Sequence, residues 1–237
     1  MKIVFTPDWF LTSDVFVDIF SFITLFLIFI LAFKNYKLSE KKSTLHLGIG
    51  FFLLAMAELA IIITKLPLYY DTAITSQIGT AVITYDIVRT VDIFYYAGFF
   101  LNRLLILLGL YIIYKLPLER ISGEFFLYVY FITIISMMSQ PYYYIYHFTT
   151  LILLVFIINK YYKVYLKEKI TNTKILSGAF VILAIAQLIF LFSKLSYIYA
   201  IGQSIQLIGY IVLLMLIIKI IKDGKKEKSR GDYSRHA

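Results

Sequence analysis

Apolar residues run along this chain in blocks separated by short polar stretches. Seven blocks stand out, at 15–33, 45–64, 91–114, 125–138, 142–158, 175–193 and 198–218. Most approach the roughly 20 residues a helix needs to cross the hydrocarbon core of a bilayer. The pattern predicts an all-α, polytopic membrane protein: a seven-transmembrane-helix bundle forming one domain over 1–222. The fourth and fifth blocks are short, yet together they are too long for one crossing. Gln140-Pro141 lies between them, and the residue before a proline disfavours helix. A tight hairpin of two helices is therefore expected, with a re-entrant pair as the alternative. The one long connection, 65–90, carries Asp71 and Asp86. Periodicity leaves it open as a short hairpin, an interfacial helix or an outward extension of the third helix. From 223 to 237 the chain turns polar and basic and is expected to be disordered.

Composition agrees with the blocks. The chain is 61% hydrophobic and 16% charged, with a mean hydropathy of +0.83, whereas soluble domains are about half apolar and a quarter charged. The formal charge of +9 raises the question of nucleic acid, but the placement of the basic residues answers it. Of 23 Lys and Arg, four (Lys2, Lys65, Arg89 and Lys194) fall on one side of the seven crossings and Arg103 falls within the membrane; all the others fall on the opposite side. Positive charge collects on the cytoplasmic side of membrane proteins, so the N-terminus is expected outside and the C-terminus in the cytoplasm, with no nucleic-acid role. Tyrosines near both interfaces, such as Tyr142–Tyr144 and Tyr161-Tyr162, read as an anchoring belt. The N-terminal segment has no small-residue cleavage site and does not read as a signal peptide. Membrane lipids of the cell membrane are the expected partners. A small ligand or ion, and a protein partner or second copy of the chain, remain open.

The few polar residues inside the blocks are the candidate chemistry. Arg103 sits about 15 Å from either end of its helix, where an arginine costs roughly 2.5–3.5 kcal/mol unless it faces a polar interior or a partner. At 1.5 Å per residue, Glu58, His147, Gln187, Gln203 and Gln206 lie roughly 8–12 Å below the outer ends of their helices. Asn102 and Arg103 lie near mid-depth. Ser21 and Thr24 share the band. Tyr199, Gln203, Gln206 and Tyr210 recur at helical spacing and form one stripe; Asp92, Tyr96, Phe99 and Arg103 form another. Glu58 is the expected counter-ion of Arg103, since their depths differ by about 6 Å.

Glu58, Asn102, Arg103, His147, Gln187, Gln203 and Gln206 are therefore expected to form a ligand or ion site in the outer half of the bundle. The protein would then act as a sensor or transporter of a small ligand, ion or proton. The alternative is a structural or accessory membrane subunit whose buried polar layer only fixes helix packing.

Several classes are excluded. The seventh block has no lysine at mid-depth for a retinal Schiff base. The third lacks the acidic-Arg-Tyr ending, and the seventh the Asn-Pro-x-x-Tyr, of G-protein-coupled receptors. No metal or cofactor is expected: His147 has no second histidine or cysteine near it in sequence, and the chain has no cysteine at all. Enzyme signatures are missing. Ser136 or Ser139 with His147 would lack an oxyanion hole and an orienting carboxylate, so an enzyme is not expected. The segments YYYIYHFTTLILLVFIINK (142–160) and QSIQLIGYIVLLMLIIK (203–219) resemble small uncharacterised seven-helix membrane proteins of archaea. That resemblance implies the fold and no particular activity.

Overall fold

The computed structural model describes the backbone of residues 6–40, 42–70, 81–115, 123–139, 142–193 and 196–233. Within these, the side chains of 8, 38–39, 67–70, 81–94, 123–124, 196 and 221–233 are not described. Among the described residues a 3-10 turn, Asp8–Phe10, precedes seven helices: α1 (Leu11–Ser39), α2 (Lys42–Tyr70), α3 (Ala81–Lys115), α4 (Gly123–Met138), α5 (Tyr143–Glu168), α6 (Thr171–Phe190) and α7 (Ser196–Tyr233). Six are long and apolar enough to cross a membrane, whereas the apolar part of α4 is shorter. At 16 residues α4 is about 24 Å long, against a hydrocarbon core of about 30 Å.

The six long helices close into a ring. α1 packs on α2, α2 on α3, α3 on α5, α5 on α6, α6 on α7, and α7 returns to α1. α4 lies outside the ring against α3 and α5. Its Phe126, Tyr130, Phe131 and Met137 point away from the protein. The long helices likewise turn Phe16, Ile23, Ile30, Val155, Ile208 and Met215 outward. A surface of this kind suits hydrocarbon, where helices satisfy their own backbone groups. The molecule is accordingly a polytopic helical membrane protein.

Glycines bring the backbones of α2 and α3 close together. A Cβ on Gly109 would stand 2.8 Å from the Gly50 carbonyl oxygen, and one on Gly50 would stand 3.1 Å from that of Gly109. Further along the seam, a Cβ on Gly98 would run into Thr64. Small residues let membrane helices approach in this way, where packing rather than water exclusion drives association.

Where the long connection left three options, the helical backbone of α3 begins at Ala81, which matches an extension of the third helix. α3 is about 52 Å long and overshoots the core by some 20 Å. Gln140-Pro141 and residues 71–80 lie outside the described residues, as does the side chain of Asp92. The chain beyond Asp223, expected to be disordered, continues as helix to Tyr233. Its Lys, Glu and Arg are good helix formers that prolong an already nucleated helix.

The half of the ring near the C-terminal ends of α1 and α3 is filled by a dry core of Leu25, Phe51, Leu54, Leu110, Ile113, Leu154, Ile157, Phe180 and Leu213. The other half is polar.

Candidate functional site

The polar half of the ring encloses a cavity of about 650 Å3. Glu58, Asn102, Arg103, His147, Gln187, Gln203 and Gln206 all line it. The helices in question meet only through tertiary packing, so this convergence is a property of the ring. Tyr96, Phe99 and Arg103 from α3 line the cavity together, as do Tyr199, Gln203, Gln206 and Tyr210 from α7. Leu25, Phe51, Leu54, Leu110, Phe180 and Leu213 belong both to the cavity wall and to the dry core. They give the cavity an apolar floor.

One side of the cavity is acidic. Glu58 on α2 is buried and accepts a 2.9 Å hydrogen bond from the Tyr210 hydroxyl of α7, which in turn accepts from Gln206 Nε2 at 3.3 Å. Nearer the N-terminal end of the ring, Asp14 and Asp18 of α1 both reach Lys65 of α2. Their Oδ2 atoms stand 2.8 and 2.6 Å from its ammonium nitrogen. Tyr199 donates to Asp14 Oδ1 at 2.9 Å, and Gln203 Nε2 donates to the Tyr199 oxygen at 2.9 Å. These bonds tie α1, α2 and α7 together at one level. The other amide atom of Gln203, Oε1, is buried with no donor to it. A buried amide oxygen forgoes about 1–3 kcal/mol when left without a donor.

Across the cavity the character changes. Arg103 donates from Nη1 to the Ser139 hydroxyl at 3.0 Å, and Ser139 donates to the Ser136 carbonyl at 2.7 Å. The guanidinium thereby sits at the C-terminal end of α4, where the helix dipole favours positive charge. It also faces the Phe99 and Tyr146 rings, at 5.8 and 5.5 Å from their centres. Such contacts supply a cation with quadrupole attraction instead of a counter-ion. His147 Nδ1 lies 2.8 Å from Gln187 Oε1, and its ring packs against Phe190. With an amide oxygen facing it, Nδ1 is the donor, and in the neutral ring Nε2 is then an acceptor.

The expected ion pair between Glu58 and Arg103 is not formed: Glu58 is bonded by Tyr210 and Arg103 bonds Ser139. Depth permitted the pair, but azimuth did not. Asn102, one residue earlier and about 100° round the helix, faces α2 instead, donating to the Ala57 carbonyl at 2.8 Å. Arg103 is turned toward α4 and α5. Lys65, read from sequence as an outer-side loop residue, is instead a buried residue of α2.

Asp14, Asp18 and Tyr146 were not expected at the site. A signal for the first two was available: acidic residues at i and i+4 share a helix face, and Asp18 stands inside the first apolar block. No family model, no curated protein and no solved structure matches the chain, so the chemistry of the site rests on its own geometry.

Proposed function

We propose that the protein binds a small polar molecule in this cavity and acts as a sensor or transporter in the cytoplasmic membrane, with its N-terminus and the polar half of the ring outward. One observation carries the reading: residues from all six long helices converge on a cavity of about 650 Å3, within the 300–1,000 Å3 typical of small-molecule sites. A layer serving only as internal cement would be filled and paired throughout. The Asn102 bond to the Ala57 carbonyl fits a cementing role, but Gln203 Oε1 has no donor and Arg103 spends one bond on Ser139. An apolar core lies beneath the cavity. A receptor needs access from one side only, and a carrier has such access in each of its two states in turn.

The test is to screen ions, amines, carboxylates, zwitterions and sugars for thermal stabilisation of the purified protein, then to assay those that stabilise it for flux into proteoliposomes. Stabilisation with flux that Glu58→Gln abolishes identifies a transporter. Stabilisation without flux identifies a sensor. A panel that neither stabilises nor moves overturns the reading in favour of an accessory subunit.

A further inference from the structure

The cavity presents two poles of opposite character on opposite walls. The acidic one is built by α1, α2 and α7 and the basic one by α3, with α5 and α6 supplying neutral polar groups beside it. At the acidic pole, Glu58 has a hydroxyl for its partner rather than a cation. Asp18 also lines the cavity, but its Oδ2 is already held by Lys65 at 2.6 Å, and Lys65 lines the cavity beside it. Gln203 adds an acceptor: the side chain is only 6% exposed, its nitrogen is engaged by Tyr199, and its oxygen has no donor. Buried amide oxygens are almost always bonded, so this atom marks a place where a donor belongs. The Glu58 carboxylate, with no cation on it, and the Gln203 amide oxygen form an acceptor-rich wall suited to an ammonium group, which carries three donors and no acceptor.

The basic pole has the converse deficit. Arg103 uses one N–H on the neutral oxygen of Ser139, of five that a guanidinium carries. A guanidinium in such a setting pairs with a planar, bidentate anion, and a carboxylate fits it best. His147 and Gln187 stand on the same side. Between and below the poles the floor is apolar.

Resting on the reading of the cavity as a ligand site, we propose that its ligand is a small zwitterion with an apolar body. Its ammonium is held by Glu58 and Gln203, and its carboxylate by Arg103. A sugar would leave both charges unanswered. A simple metal cation would leave the guanidinium unanswered, and a simple anion would leave the acidic wall so.

The probes are leucine and the dipeptide Leu-Leu, each compared with its C-terminal amide, which lacks the carboxylate, and with its des-amino acid, which lacks the ammonium. Binding is measured on the full chain in lipid nanodiscs. At least one of the two zwitterions binds saturably, and removing either charged group weakens it tenfold or more. Arg103→Gln erases the preference for the acid over the amide, and Glu58→Gln erases the preference for the amine over the des-amino compound. Each variant keeps the other preference, which separates lost recognition from lost folding. A modified probe that binds as well as its parent overturns the zwitterion and leaves the cavity standing as a ligand site. If none of the probes binds while another member of the screening panel does, the zwitterion alone is overturned. If nothing in the panel binds, both readings fall.

Discussion

The ammonium nitrogen of Lys65 stands 2.8 Å from Asp14 Oδ2 and 2.6 Å from Asp18 Oδ2, with all three side chains buried between α1 and α2. The two carboxylates share this cation, and Asp14 also accepts from the Tyr199 and Thr6 hydroxyls at 2.9 and 3.3 Å. Removing one member of a buried pair costs about 3–5 kcal/mol, because the charge left behind has lost its water as well. Lys65→Met is therefore expected to destabilise the protein by at least that much in thermal unfolding. Adding Asp14→Asn and Asp18→Asn to Lys65→Met should recover a large part of the loss. A Lys65→Met protein that melts with the wild type would show that the triad does not hold α1 against α2.

Glu58 and Arg103 share the cavity but bond elsewhere, Glu58 to Tyr210 and Arg103 to Ser139. Residues more than about 7–10 Å apart with no shared partner act additively on stability, to within about 0.5 kcal/mol. The double variant Glu58→Gln with Arg103→Gln should lose the sum of the two single losses in a denaturation cycle. A coupling well above about 1 kcal/mol would restore the direct ion pair that depth alone suggested.

The difference between depth and azimuth explains what could be read from the sequence. Depth follows from residue count along an apolar block, so the polar layer through Glu58, His147, Gln187 and Gln203 was visible before any contact was known. Azimuth depends on which neighbour each face meets, and this chain offers no repeat or marker for that. Asn102 and Arg103 point to different helices although they are adjacent. The ring itself was equally hidden. That α3 meets α5 while α4 is left outside follows from packing, and the only hint was the brevity of the 125–138 block. Two helix ends were obscure for a local reason. α1 and α5 stop at Glu40 (φ 53°) and Lys169 (φ 51°), so neither end carries the glycine that commonly marks this left-handed turn.

The α2–α3 seam makes a contrast among glycines. A Cβ at Gly98 meets Thr64, whose hydroxyl is already engaged by the Ala60 carbonyl at 2.7 Å. The clash is with a β-branched side chain that has little freedom to turn away. Gly98→Ala should cost about 1–3 kcal/mol, the range for overpacking. Gly178 has nothing within 4 Å of an added Cβ. Gly178→Ala should be neutral or stabilising by up to about 1 kcal/mol, because alanine loses less backbone freedom in a helix. Melting temperatures in one detergent compare the two. Equal losses at both sites would mean that the seam does not depend on close approach.

Orientation is the remaining expectation with a direct readout, and the Lys65 triad strengthens it. Positive residues set topology when they flank a crossing. Lys65 is buried and paired with two aspartates, so it should not be counted with the outer-side basic residues. That leaves Lys2, Arg89 and Lys194 there, against Lys34, Lys37, Lys115, Lys160, Lys163, Lys167, Lys174 and Lys219, among others, at the opposite ends. A reporter that functions only in the cytoplasm, fused after Ala237, should therefore be active, and a phosphatase that functions only outside should be silent at the same position. Lys65→Gln should leave both results unchanged, because the residue is structural. Phosphatase activity in the wild-type fusion would reverse the orientation and turn the polar half of the ring toward the cytoplasm.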